Sequence, residues 1–332
     1  MIAGILARNR AGQGGGLPSW CTAHPQTLAA ILRCYRHDTA PILIEATCNQ
    51  VNQFGGYTGM TPADFVRFVH GIARAEGVDP ARLILGGDHL GPNPWRAEPA
   101  PQAMAKARDM VAAYAATGFT KIHLDASMPC GGETLTETGM AARAAELCAV
   151  AESVAPGRPA YVIGTEVPVP GARLTRKQRS PSPRPKPQGR PWRCTARPLR
   201  PGGSKAAFGR VIGVVVQPGV DFGNERIMAY DSTAAARLAA LAPCLEGPLY
   251  EAHSTDYQST AALAALVQDH FAILKVGPEL TFAFRQAVMA LERLEERMGL
   301  PPSGVTAALL AAMRAARRIG GPMCHRGRKK SG

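Results

Sequence analysis

Asp88 and His89 stand side by side where the apolar run Leu83-Ile-Leu-Gly-Gly87 ends. A neutral imidazole binds a divalent ion and an adjacent carboxylate moves a proton, so the pair suits metal-assisted carbonyl chemistry. His253, inside Glu251-Ala-His-Ser-Thr-Asp-Tyr257, is a candidate second ligand, and Glu166 and Asp125 are oxygen candidates. Four such groups from separate strands make a candidate Zn²⁺ site with an open position. His123 alternates with Asp125, which points both the same way along a strand. Lys275, closing Phe271-Ala-Ile-Leu-Lys275, reads either as a Schiff-base lysine or as a charge that holds a substrate phosphate or hydroxyl. The metal candidates favour the second reading. Asn49-Gln-Val-Asn-Gln-Phe-Gly-Gly-Tyr57 is rich in amides, which donate and accept to a polyhydroxylated ligand. The same stretch also reads as an ordinary glycine turn. The candidate substrate contacts are Glu45, Asn49, Gln50, Asp125, Ser254 and Lys275, and the candidate catalytic groups are Asp88, Glu166 and Lys275. No GxxxxGK[ST] loop is present, and no GxGxxG follows a strand into a helix, which argues against an ATP-dependent kinase or a nicotinamide enzyme.

These residues need elements that bring them together. Seven short apolar runs, 42–46, 83–87, 121–125, 160–164, 210–216, 248–252 and 271–275, read as strands. Ala-rich stretches at 61–76, 102–117, 138–154, 232–241 and 259–269 read as helices between them, with Thr61 and Ser232 or Asp231 as N-caps and Pro62 at a first helical position. Apolar strands alternating with amphipathic helices indicate an α/β fold of parallel strands covered on both faces. Almost every run ends in a polar cluster. In a TIM-type barrel those ends converge on one face, whereas an open doubly wound sheet would string them along an edge, so the barrel is favoured.

The formal charge of +13 is concentrated in two segments. Residues 173–205 hold eleven Lys/Arg and no acid, and residues 314–330 hold seven more, so the rest carries 13 − 18 = −5. A mildly acidic body argues against nucleic acid as the partner. Aliphatic runs are too short to span a membrane, Arg8 follows too short an apolar stretch for a secretory leader, and eight cysteines without a CxxC pair read as reduced thiols of a cytoplasmic protein. Seven prolines and eleven basic residues keep 173–205 from forming the crossover helix due there. A basic loop, a proline-rich linker and a stretch translated out of register compete, and the abrupt edges favour the last. The division expected is 1–172 and 206–313 as two parts of one barrel, separated by 173–205 and followed by a basic tail at 314–332.

The strings CTAHP (21–25), IEATCNQVNQFGGYTGMTP (44–62), GGDHLGPNPW (86–95), KIHLDASMPC (121–130), GTEVPVPG (164–171), QPGVDF (217–222), YEAHSTDYQ (250–258) and LKVGPELTFA (274–283) closely resemble the GatZ/KbaZ family. Its members are described as the non-catalytic subunit of class II D-tagatose-1,6-bisphosphate aldolase, with a TIM-barrel fold, and have also carried a tagatose-6-phosphate kinase label that the missing phosphate loop does not favour. The resemblance implies an accessory subunit in galactitol and N-acetylgalactosamine catabolism, a phosphorylated ketohexose as ligand and a catalytic GatY/KbaY-like partner. Some relatives are regarded as metal-dependent sugar-phosphate 4-epimerases. On that alternative His89 and His253 hold the metal with Glu166 or Asp125, Asp88 moves the C4 hydroxyl proton, and Lys275 fixes the substrate. A third reading is an inactive, degraded copy. Family members are longer at the C-terminus, which implies a barrel left incomplete there, with open strand edges.

Overall fold

The computed structural model describes residues 2–164, 205–223, 225–245 and 247–315. Glu166, nearly all of the basic stretch 173–205 and the tail from 316 lie outside them. The chain divides into a first unit ending at Gly277 and a second beginning at Pro278.

The first unit is built on parallel strands: β1 (Leu17–Cys21), β2 (Ile42–Thr47), β3 (Leu83–Leu90), β4 (Lys121–Leu124), β5 (Ala160–Ile163), β6 (Val211–Val216), β9 (Leu249–Ala252) and β10 (Phe271–Val276). A short antiparallel ribbon, β7 (Asp221–Phe222) with β8 (Ile227–Met228), follows β6. The eight parallel strands close in the order β1-β10-β9-β6-β5-β4-β3-β2, a TIM-type barrel as expected. The open edge expected is absent. β1 pairs with β10 through Ser19 opposite Lys275 and with β2 through Cys21 opposite Glu45, so an N-terminal strand completes the ring. Pro18 and Ser19 interrupt the apolar run there, which hides this strand from a reading by hydropathy.

Helices α2 (Pro25–Cys34), α3 (Pro62–Ala75), α4 (Ala100–Ala116), α5 (Glu137–Val154), α6 (Ser232–Ala239) and α7 (Thr260–Gln268) follow the strands. The start of α3 is a capping box. The Thr61 hydroxyl accepts from the Asp64 amide, the Asp64 carboxylate accepts from the Thr61 amide, and Pro62 opens the helix. Asp231, rather than Ser232, caps α6. Ahead of β1, helix α1 (Ile2–Arg10) closes the N-terminal end of the barrel. Its Ile5 packs with Leu17, Leu43, Ile84 and Ile273, and Asn9 donates to the carbonyls of Gly15 and Val267, both at 2.9 Å. Burying each such aliphatic side chain contributes roughly 1.5–3 kcal/mol.

In the second unit, α8 (Pro278–Arg297) and α9 (Val305–Ala315) form a helix pair. The Glu292 carboxylate accepts from the Thr306 amide at 3.1 Å.

Candidate active site

Above the aliphatic floor the barrel interior turns polar. Glu45 (β2), Lys121 (β4) and Glu251 (β9) are fully buried, and Lys275 (β10) is nearly so. Gly86 makes the space for this layer, because a Cβ there would lie 2.7 Å from the Glu45 side chain. The Lys121 ammonium pairs with Glu45 and, at 2.8 Å, with Glu251. That of Lys275 pairs with Glu45 and Asp88 and lies 3.9 Å from Glu251. Charges removed from water are costly unless paired, and here each ammonium faces two or more carboxylates. Burial works against both ammonium groups, yet these carboxylates raise them above the ordinary lysine value. Burial alone would also neutralise Glu251, but the two lysines keep it ionised, below the usual carboxylate range.

One layer further toward the strand C-termini lie Asp88, His89, His123 and His253, whose ligand atoms all fall within 4.8 Å of one another. His89 has φ +50°, and the register between β3 and β4 shifts between Gly87 and Leu90. That irregularity breaks the strand's alternation, so consecutive residues reach one pocket. The three imidazole centroids are 4.7, 5.1 and 5.4 Å apart.

Each ring has a partner that fixes which nitrogen carries the proton. His89 Nδ1 donates to Asp125 Oδ2 at 2.9 Å, which leaves Nε2 as its lone-pair nitrogen, 3.7 Å from Asp88 Oδ2. Asp125 is itself held by the Ser127 amide (3.1 Å) and hydroxyl (2.6 Å). His253 Nε2 donates to Glu251 Oε1 at 3.0 Å. His123 Nε2 donates to the Gly164 carbonyl at 3.0 Å, so its Nδ1 presents a lone pair 2.9 Å from Asp88 Oδ1. Burial pushes the His123 imidazole below its ordinary pKa and keeps it neutral. Burial would raise the Asp88 carboxyl, but the Lys275 ammonium in contact with it holds it well below the usual range. His123 Nδ1, which accepts from the His89 amide at 3.2 Å, and Asp88 Oδ1, which the Lys275 ammonium contacts, then face each other as two acceptors, the kind of atoms a divalent ion takes as ligands. Three imidazoles, two of them steered by carboxylates behind them, and one carboxylate fit a divalent metal.

The structure therefore brings His89, His253 and Asp88 together, as the strand-end positions imply, and adds His123. It places Asp125 behind His89 and Glu45 and Lys275 in the buried layer below. Asn49 is exposed after β2, and the Gln50 side chain accepts from the Thr47 amide at 2.8 Å, within its own turn. Ser254 is buried, at φ +56°, just after β9. Lys121, Glu251 and His123 were not singled out as site residues. The alternation of His123 with Asp125 was the signal for one of them, while the lysine–glutamate pairing depends on strands far apart in sequence.

The family described as D-tagatose-1,6-bisphosphate aldolase subunit GatZ/KbaZ-like matches residues 2–316. A protein of Agrobacterium fabrum named D-tagatose 6-phosphate 4-epimerase is 49% identical over 304 residues, 90% of this chain and 72% of its own. Escherichia coli (strain SMS-3-5 / SECEC) has a D-tagatose-1,6-bisphosphate aldolase subunit GatZ that is 50% identical over 305 residues, with the same shares of the two chains. A crystal structure from Sinorhizobium meliloti 1021, described as a probable tagatose 6 phosphate kinase, superposes with a TM-score of 0.84 at 46% identity, covering 95% of this chain and 78% of that one. With its sequence matched over nearly all of 2–316 and relatives of about half identity, this chain belongs to the GatZ/KbaZ-like family.

Proposed function

We propose that this chain serves tagatose 6-phosphate metabolism as the accessory subunit of a class II D-tagatose-1,6-bisphosphate aldolase, with a divalent ion, zinc first, in the pocket at the strand ends. The observation that carries the assignment is the 50% identity to a GatZ subunit over 90% of the chain. The partner would be a catalytic class II aldolase subunit, and the ligand a phosphorylated ketohexose. No helix among the described residues is long and apolar enough to cross a membrane.

A second reading, a 4-epimerase acting on tagatose 6-phosphate and fructose 6-phosphate, is favoured by one observation. Asp88 and three imidazoles share a pocket, backed by buried carboxylates whose desolvation a purely supporting subunit has no use for. His89, His123 and His253 would hold the ion beside Asp88, with Glu166, outside the described residues, as a further oxygen candidate. A bound ion supplies Lewis-acid polarisation of a substrate oxygen and makes a bound hydroxyl more acidic. Asp88, held ionised, accepts the C4 hydroxyl proton as the C3–C4 bond breaks and its electron pair passes into the three-carbon enediolate. Rotation of the aldehyde and re-addition to its other face invert C4, and the proton returns from Asp88. Asn49, Gln50 and Ser254 follow strand C-termini, where they could meet sugar hydroxyls, and Lys275 acts from below through Asp88.

The test is purified chain with Zn²⁺ or Mn²⁺ and tagatose 6-phosphate, followed by NMR for fructose 6-phosphate. Turnover that disappears in Asp88→Ala supports the epimerase. No turnover, with restored activity and stability of a co-purified catalytic aldolase subunit, supports the accessory reading. Neither result sinks both.

A further inference from the structure

Beside the imidazole cluster lies a second group with metal-ligand chemistry. Cys21, Glu45 and Asp88, on β1, β2 and β3, bring a sulfur and two carboxylate oxygens within 4.8 Å of one another. Cys21 Sγ is 3.7 Å from Asp88 Oδ2 and 3.9 Å from Glu45 Oε2. The two groups share Asp88, so its carboxylate lies between two adjacent cation positions, the arrangement of two-metal sites in which a carboxylate bridges. The second position is already filled. The Lys275 ammonium contacts Glu45 Oε2 and Asp88 Oδ1, with Glu251 Oε1 at 3.9 Å. Lys275 is only 5% exposed, so it has no solvent to turn to.

Charge counting points the same way. Glu45, Asp88, Asp125 and Glu251 carry four negative charges, and Lys121 and Lys275 carry two positive ones, a balance of −4 + 2 = −2, the charge that one divalent ion neutralises. Without Lys275 the balance is −4 + 1 = −3, more than one divalent ion neutralises.

We propose that the Lys275 ammonium is a tethered cation occupying the second of two adjacent positions bridged by Asp88, so that the pocket takes a single divalent ion. This rests on the metal reading above. Lys275 then acts as a positioning residue. It holds Asp88 Oδ1 and leaves Oδ2 on the side of His89.

The experiment measures zinc stoichiometry of the metal-stripped chain by calorimetry and elemental analysis. Thermal midpoint and refolding yield are compared in methylammonium chloride and in sodium chloride of equal ionic strength. Wild type is expected to take about one ion per chain and to ignore methylammonium. Lys275→Ala is expected to take a second ion, and to gain stability or refolding yield specifically in methylammonium, which enters the vacated position. The double variant Lys275→Met with Glu45→Gln keeps the balance at −3 + 1 = −2 and is expected to take one ion with no methylammonium response. Wild type that binds no zinc overturns the metal reading and this proposal with it. Wild type that binds one ion, with a Lys275→Ala chain that gains neither a second ion nor any response to methylammonium, overturns this proposal alone.

Discussion

At the scale of single residues, the site depends on groups that never touch a ligand. Asp125 holds His89 by a 2.9 Å hydrogen bond and is itself fixed by Ser127. Burial would raise the Asp125 carboxyl, but its hydrogen bonds with His89 and Ser127 keep it low, so it is an acceptor at any physiological pH. Such carboxylates set the tautomer and angle of a ligating imidazole. Asp125→Asn should therefore weaken zinc binding by roughly 10–100-fold while far-UV circular dichroism stays unchanged. Zinc affinity equal to wild type in a competition titration would show that His89 needs no such support.

At the scale of elements, the strand ends carry the chemistry because β3 and β4 cross closely. Gly91, just past β3, has no room for a side chain, since a Cβ would lie 1.7 Å from the Asp125 carbonyl oxygen. Gly91→Ala must push β3 away from the β4 end, at a cost of about 1–3 kcal/mol or more, and shift Asp125 from His89. A lower urea midpoint together with weakened zinc binding is expected, and an unchanged midpoint would contradict the close approach. Seven of the barrel strands were legible because each is a short apolar run, almost all of them ending in polar residues, as in Leu83–His89 and Leu249–His253. β1 was not, because Pro18 and Ser19 lack the apolar signal and its place is defined only by pairing with β2 and β10. The His89 and His253 positions were legible for the same reason as their strands. The pairing of Lys121 with Glu45 and Glu251 was not, since it is set by the barrel's closure and not by local spacing.

At the scale of the molecule, the polar interior links stability to pH. Asp88, Asp125 and Glu251 all have folded pKa values below their ordinary ones, so their contribution is present above the unfolded values of 3.8 and 4.5 and is lost as pH falls through the folded values. His123 is also depressed, so the unfolded chain takes up a proton below its ordinary 6.5 before the folded chain does, which costs stability in the same direction. The urea midpoint of the metal-free chain should fall slightly from pH 7 to pH 5, through His123, and more steeply from pH 5 to pH 3, through the carboxylates, and a midpoint that stays flat or rises between pH 5 and pH 3 would contradict the ionised interior. The +13 total says little about this barrel, because the segments that supply it lie almost wholly outside the described residues.

The central claim is that Asp88, His89, His123 and His253 form one divalent metal site. Its most direct test is zinc titration of the metal-stripped chain beside His123→Ala and His253→Ala, with circular dichroism on each. The expected result is about one zinc per wild-type chain and affinity lower by at least roughly tenfold in both variants at unchanged secondary structure. Wild type that takes up no zinc, or variants that bind it as tightly as wild type, would contradict the site.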